Sequence, residues 1–126
     1  MVISLNAGMI IGLVIVTIVA MIMVLIGVFQ YRKADMPVGF YNVIDPPSKE
    51  DISDVIQWNK KHGMIWIVYG LCIELGFWLG YVMPNEILEM IFMMGGIVIP
   101  LPFMVIRHNM IEKQLFIGRS KNDSRD

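Results

Sequence analysis

The sequence predicts an all-α integral membrane protein with three transmembrane helices (N-out, C-in) and a short cytoplasmic interfacial amphipathic helix. The first observation is composition, because 56% of the 126 residues are hydrophobic and only 17% are charged, a more apolar balance than soluble domains usually have. The second is that three apolar runs are each long enough, at roughly 20 residues, to cross a bilayer as a helix. The third is the placement of Lys and Arg, which lie beside only one end of each run.

The first span is predicted at about residues 7–29. No charged side chain occurs between Met1 and Tyr31, and the run is almost wholly Ile, Val, Leu, Met and Gly. It begins without the Lys or Arg that starts a secretory signal, and it is longer than a signal core. We therefore expect a retained membrane anchor.

Two further spans are predicted at about 64–83 and 87–106, separated by the short turn Pro84-Asn85-Glu86. A connector of that length makes the two helices an antiparallel hairpin. A single charged residue, Glu74, interrupts the second span. Aromatic residues near span ends suit the membrane interface, and in the second span they are Trp66, Tyr69, Trp78 and Tyr81.

Basic residues orient the spans, because Lys and Arg resist translocation and accumulate on the cytoplasmic side. They follow the first span, precede the second and follow the third, whereas the N-terminal tail and the turn at Pro84 have none. We expect a multi-pass protein of the cell membrane, with a cytoplasmic segment at 32–63. Residues 1–118 are predicted to form a single membrane domain, and residues 119–126 a flexible cytoplasmic tail.

The cytoplasmic segment is predicted to contain the interfacial helix, which starts after Pro46-Pro47. Ser48 followed by Asp51 is close to a capping pattern, and apolar and charged residues then fall on opposite faces. Gly63 is a candidate hinge between this helix and the second span. A helix that simply connects two spans fits the same pattern. The expected apolar face consists of Ile52, Val55 and Ile56.

The central segment also resembles part of a known family. After one span come Gly39-Phe40-Tyr41-Asn42, the helix start Ser48-Lys49-Glu50, the stretch Trp58-Asn59-Lys60-Lys61-His62-Gly63 and then a two-span hairpin. In this order the chain resembles small three-helix bacterial membrane proteins related to the sporulation-delay toxin immunity family. The resemblance implies immunity or signalling at the membrane rather than catalysis, and it assigns no site residue.

An intramembrane polar cluster is predicted around Glu74, because an ionised carboxylate at the middle of a bilayer costs at least ~2.5 kcal/mol. Thr17 falls at a similar depth in the first span. In the third span, Pro100 and Pro102 have no amide hydrogen and so release backbone carbonyls, including that of Gly96. The cluster either holds the helices together by hydrogen bonds or serves as a proton or cation relay.

Close helix packing is predicted at Gly76 and Gly80, because a G-x-x-x-G spacing lets two helices approach one another. The partner helix can belong to the same chain or to a second copy. Cys72 is the only cysteine in the sequence, which excludes an intrachain disulfide.

The cytoplasmic ends of the helices form a candidate site for an anion or a lipid headgroup. Basic side chains and two histidines collect there, although the positive-inside distribution alone also accounts for the charges. Two histidines fall short of the three protein ligands that zinc usually needs, so no metal site is predicted. The candidate residues are Arg32, Lys33, Trp58, Lys60, Lys61, His62, Arg107 and His108.

The sequence carries no common catalytic motif, and we assign no catalytic residue and no cofactor. The first hypothesis is a small non-enzymatic membrane protein acting by binding, as an accessory subunit or as an immunity or signalling protein. Its expected partners are anionic lipid headgroups and either a second copy or a larger membrane protein, with no nucleic acid. The alternative is a small oligomeric transporter or channel that uses protonatable Glu74.

Overall fold

The computed structural model describes residues 7–39 and 47–117. Its elements in chain order are α1 (Ala7–Arg32), a 3-10 helix (Lys49–Asp51), α2 (Val55–Tyr81), α3 (Glu86–Val98) and α4 (Pro100–Leu115). α3 and α4 follow one another almost without interruption and together span Glu86–Leu115. Three helices are therefore long and apolar enough to cross a membrane, which confirms the three predicted spans as helices of suitable length.

α2 lies at the centre of the fold and packs against α1, α3 and α4. Its buried positions run from Trp58 to Gly80, whereas α1 buries only Ala20 and Gly27 among its described residues. Large apolar side chains on α1 and α3 are mostly exposed, as expected for helices surrounded by lipid. The buried hydrophobic cluster consists of Val38, Ile52, Trp58, Ile65, Tyr69, Ile73, Met104 and Ile111.

Glycines bring the backbones of neighbouring helices into direct contact. A methyl carbon added at Gly63 would lie 2.5 Å from the Gly27 carbonyl oxygen, and one added at Gly27 would meet the Gly63 carbonyl at the same distance. Near the opposite end of α2, a methyl carbon on Gly76 would lie 2.7 Å from the Cα of Gly96. Such close approach requires residues without a side chain. Gly76 and Gly80, the predicted packing pair, both contact α3 of the same chain.

The start of α2 differs from the sequence-based prediction. The Asp54 carboxylate accepts a hydrogen bond from the Gln57 amide at 3.0 Å and caps the helix, which then continues without a break through Gly63. The predicted separate amphipathic helix is therefore replaced by the first turns of α2. Gly63 lies within α2, and the Gly27 backbone packs directly against it.

The expected apolar face of that predicted helix is also divided. Ile52 is 5% exposed and precedes α2 in extended conformation, whereas Ile56 is 50% exposed. The Ser48 hydroxyl does contact the Asp51 carboxylate at 2.9 Å, but this pair lies at the 3-10 helix. The Ser48–Asp51 pattern therefore belongs to the 3-10 helix that precedes α2, and α2 itself starts later, at Val55.

α3 and α4 meet at Ile99, whose φ of −60° and ψ of −41° are helical. Pro100 cannot donate the backbone hydrogen bond that would continue the helix. One turn earlier, the carbonyl of Ile97 accepts a hydrogen bond from the Tyr69 hydroxyl at 3.1 Å. The Tyr69 side chain of α2 therefore contacts the third span close to the boundary between α3 and α4.

The C-terminal end of α4 is tied back to the segment that precedes α2. An isolated antiparallel β-bridge pairs Ile52 with Phe116. The Ser53 amide donates to the Leu115 carbonyl at 2.9 Å, and the Ile117 amide donates to the Asp51 carbonyl at 2.8 Å. This pairing joins α4 to α2 at the basic end of the bundle, which carries Lys60, Lys61 and Arg107.

Some sequence-based predictions lie outside the described residues. They concern the Phe40-Tyr41-Asn42 part of the family motif, the Pro46 position and the tail at 119–126.

Candidate functional site

A cleft opens between α2 and α4. Its position lies between two contacts with α2. Gly96 of α3 packs against Gly76, and His108 of α4 lies against His62. Between them lies a cavity of about 670 Å³, with Pro100 in its lining. This volume lies within the range of pockets that hold small molecules. We call it the α2–α4 cleft.

The walls of the α2–α4 cleft are predominantly apolar. Several wall residues are open to the surroundings of the protein: Val68 is 49% exposed, Ile99 63% and Phe103 66%. The cleft is therefore open along its side, toward the region that lipid would occupy around membrane helices. Its apolar lining residues are Met64, Ile65, Val68, Cys72, Ile99, Pro100, Phe103 and Met104.

Basic side chains line one end of the α2–α4 cleft. Lys60, Lys61 and Arg107 lie there together with Gln57. The Lys61 ammonium donates a hydrogen bond to the Gln114 amide oxygen at 2.8 Å. Among the described residues that line the cleft, none is a carboxylate. The basic end of the cleft therefore carries positive charge without an acidic residue in its lining.

The predicted basic residues do not all share this location. Arg32 and Lys33 are absent from the described lining of the α2–α4 cleft. Lys33 lines a smaller depression beside Pro37 and Val38, with its ammonium 5.8 Å from the centre of the Phe29 ring. The structure thus divides the predicted basic cluster, and three of its residues converge on the cleft.

His62 and His108 meet behind the basic end of the cleft. Nε2 of His62 lies 2.9 Å from Nδ1 of His108, and Nε2 of His108 lies 3.4 Å from the Glu112 carboxylate. His62 is fully buried, and its ring lies 4.3 Å from that of Trp58, centroid to centroid. The pair forms a polar contact between α2 and α4 rather than a surface that faces lipid headgroups.

The partners fix the direction of these hydrogen bonds. Nδ1 of His62 lies 2.8 Å from the Trp58 carbonyl oxygen, and a carbonyl only accepts, so this nitrogen carries a hydrogen. In neutral His62, Nε2 then accepts from Nδ1–H of His108. A second proton on His108 would complete an ion pair with Glu112. The His62–His108 hydrogen bond is therefore kept whether His108 is neutral or protonated, whereas only protonated His108 has a hydrogen on Nε2 for Glu112.

Asn59 fastens the segment after α1 to α2. Its side chain is fully buried, and its amide nitrogen donates to the carbonyls of Lys33 and Met36 at 2.8 and 2.9 Å. Its amide oxygen accepts from the Val38 amide at 2.9 Å. The indole of Trp58 donates to the Val38 carbonyl, also at 2.9 Å. Trp58 is therefore a buried anchor, and so is Asn59, which was not among the predicted site residues.

The predicted intramembrane cluster is only partly assembled. The Thr17 hydroxyl donates to Oε1 of Glu74 at 3.0 Å, and the Trp78 indole donates to the same oxygen at 3.1 Å. Oε2 is buried and has no hydrogen-bond partner among the described residues. Trp78, four residues after Glu74 and so on the same helix face, is a partner that the sequence could have indicated.

The glycine and prolines assigned to that cluster lie elsewhere. A methyl carbon on Gly96 would lie 2.8 Å from the Cys72 carbonyl oxygen, so Gly96 of α3 packs against the α2 backbone at Cys72. Pro100 lines the α2–α4 cleft, and Pro102 is exposed. The hydrogen bonds of Glu74 instead join it to α1 and to its own helix.

No group of three or more His, Cys, Asp or Glu residues that could hold a metal ion occurs in the described part of the chain. No protein-family model, curated protein or solved structure matches the chain. The resemblance to the immunity-related family stays a prediction.

Proposed function

We propose that this protein acts by binding and that its ligand is a lipid-like molecule held in the α2–α4 cleft. The observation that carries the proposal is a cavity of about 670 Å³ with apolar walls, a lateral opening and basic side chains at one end. Such a protein would act as an accessory subunit or as an immunity or signalling protein. A second copy or a larger membrane protein would pack on the exposed apolar faces.

The lining of the cleft supports binding rather than catalysis. Its described residues include neither a carboxylate nor a histidine, the side chains that most often act as general acids and bases. Cys72 lines the cleft, yet the lining provides no histidine to activate its thiol as a nucleophile. A site of this composition can hold a molecule by its apolar part and orient it by charge.

Filling the cleft tests the proposal. Val68→Trp places a large side chain on the cleft wall, whereas Leu71→Trp adds the same group to an exposed position, 59% accessible, outside the described lining. Native mass spectrometry of protein purified from its membrane counts the lipids that each variant retains. We expect Val68→Trp to lose bound lipid and Leu71→Trp to keep it. Equal retention by both variants would contradict the proposal.

Transport through Glu74 is the alternative function. It requires a water-filled cavity that reaches the carboxyl group, and Glu74 lines neither the α2–α4 cleft nor the depression beside Lys33. Its side chain is held between α1 and α2 by Thr17 and Trp78. These contacts favour a packing role. Proton flux into liposomes that contain the protein, abolished by Glu74→Gln, would make the transport function the better one.

The orientation that goes with the binding proposal is N-out and C-in, with the basic end of the cleft on the cytoplasmic side. It is supported by the distribution of Lys and Arg along the sequence. A reporter fused after Asp126 or inserted near Pro46 should read cytoplasmic, and one at Asn85 should read external. A cytoplasmic signal at Asn85 would contradict this orientation.

A further inference from the structure

We infer that the ligand of the α2–α4 cleft is a lipid with an anionic headgroup, bound with its phosphate at Lys60, Lys61 and Arg107 and with an acyl chain along the apolar wall. This inference rests on the proposed function, since it names the class of molecule for the same cleft. It adds charge selectivity, which an apolar cleft alone would not have.

The first argument is charge. Three cations line one end of the cleft, and in the described part of the chain none of them has a carboxylate within ion-pair distance. The nearest acidic groups along the helices have other partners, because Glu112 contacts His108 and Asp54 caps α2. Like charges that share a site repel one another. An anion placed among them would relieve that repulsion.

The second argument is the arrangement of the cations. Lys60 lies above Tyr31, with its ammonium 5.7 Å from the ring centre, and Lys61 is held by Gln114. Arg107 follows Phe103 by one helical turn on α4. An arginine provides a fork of donors for phosphate oxygens, and a lysine adds a mobile point charge. All three line the α2–α4 cleft, Lys60 and Lys61 from α2 and Arg107 from α4.

The third argument is the length and exposure of the apolar wall. On α2 the apolar lining runs from Met64 to Cys72, which corresponds to roughly 12 Å along a helix. This distance suits the upper part of an acyl chain, whereas a free phosphate would occupy only the basic end. The exposed wall residues Val68 and Phe103 allow a lipid to enter sideways from the bilayer. The two ends of the cleft therefore match the two ends of an anionic lipid.

The test measures lipid preference in the full-length protein. The protein is incorporated into vesicles with equal amounts of phosphatidylglycerol and phosphatidylcholine that carry the same acyl chains, and native mass spectrometry gives the ratio of the two bound lipids. We expect phosphatidylglycerol to exceed phosphatidylcholine by at least about fivefold. The triple variant Lys60→Gln, Lys61→Gln, Arg107→Gln should bring that ratio close to one while total bound lipid stays similar.

A matched triple variant removes the same charge elsewhere. Arg32→Gln, Lys33→Gln, Lys113→Gln changes three basic residues outside the described lining of the cleft, and it should keep the preference of the natural sequence. If the first triple variant does not fold, Lys60→Gln alone changes an exposed side chain and should lower the ratio at least twofold. An unchanged ratio in the folded variant would overturn the inference.

The remaining outcomes separate the inference from the proposed function. Equal binding of the two lipids by the natural sequence, together with loss of both in Val68→Trp, would overturn anionic selectivity and leave lipid binding intact. Absence of any bound lipid would overturn both. Inorganic phosphate at millimolar concentration should not displace phosphatidylglycerol. Displacement would show that the basic end binds phosphate alone, and it would overturn the assignment of a lipid.

Discussion

The interface between α1 and α2 and the interface between α2 and α4 use opposite means to hold helices together. In the first, Gly27 and Gly63 bring two backbones into contact. In the second, α4 contains no glycine, and polar side chains join the helices, with His62 hydrogen-bonded to His108 and Lys61 to Gln114. The first interface leaves no room for a ligand, and the second leaves the α2–α4 cleft.

The difference shows how a small helical protein combines rigidity with a cavity. Close backbone packing is strong but tolerates no added atoms, so it suits the parts that fix the fold. Polar side chains that hydrogen-bond between helices join them without backbone contact, provided that their buried donors and acceptors are satisfied. α2 takes part in both interfaces, which explains why it is the most buried helix. Variants on its two sides can separate these contributions.

The largest effect is expected at the glycine contact. A methyl group at Gly63 would lie within 3 Å of backbone atoms of Gly27 and Tyr31, so Gly63→Ala should lower the free energy of unfolding by about 3 kcal/mol. Thermal or denaturant unfolding in detergent measures this change. Gly12→Ala is the matched control, because its added carbon meets only the Phe77 ring at 3.8 Å. Equal stability of the two variants would show that α1 and α2 can move apart without loss.

The second prediction concerns Asn59, whose three hydrogen bonds join α2 to the segment after α1. Asn59→Leu leaves the Val38 amide and two carbonyls without this partner, and it should cost about 2 kcal/mol. Hydrogen exchange of the Val38 amide should accelerate. The exposed Asn109 gives a control of the same residue type, and Asn109→Leu should change neither quantity. A protected Val38 amide in Asn59→Leu would contradict this role.

The third prediction tests the polar contact on the cleft side. His108→Ala removes the imidazole that hydrogen-bonds Nε2 of the buried His62, and it should cost about 1.5 kcal/mol, since this buried hydrogen bond is lost. Unfolding in detergent checks the value against Asn109→Ala. If both variants unfold alike, the histidine pair contributes nothing to the attachment of α4.

The smallest effect is expected inside the membrane. Glu74→Gln keeps the carbonyl oxygen that accepts from Thr17 and Trp78, so stability should hardly change. Glu74→Ala should cost less than about 1 kcal/mol, in line with hydrogen bonds between membrane helices. A double-mutant cycle with Thr17→Val isolates the contact with Thr17. Fully additive effects would show that this contact between α1 and α2 has no coupling energy.

The candidate site was predictable in parts. Residue type and position along the chain placed Lys60, Lys61 and Arg107 at one end of the helices, because charges outside lipid follow from the limits of the apolar runs. Burial of Trp58 and Asn59 was not predictable in the same way. It depends on which face of α2 the segment after α1 covers, and that segment has no periodic pattern of its own.

The sequence by itself determined the three apolar spans and the places where charge is confined, since the transfer of side chains and backbone into lipid depends mainly on local composition. Tertiary structure decided which residues meet. Gly63 meets the Gly27 backbone and His62 meets His108, although the members of each pair lie on different helices and far apart in the sequence. The α2–α4 cleft likewise depends on how the helices lie against one another between the Gly76–Gly96 and His62–His108 contacts, which hydropathy does not encode.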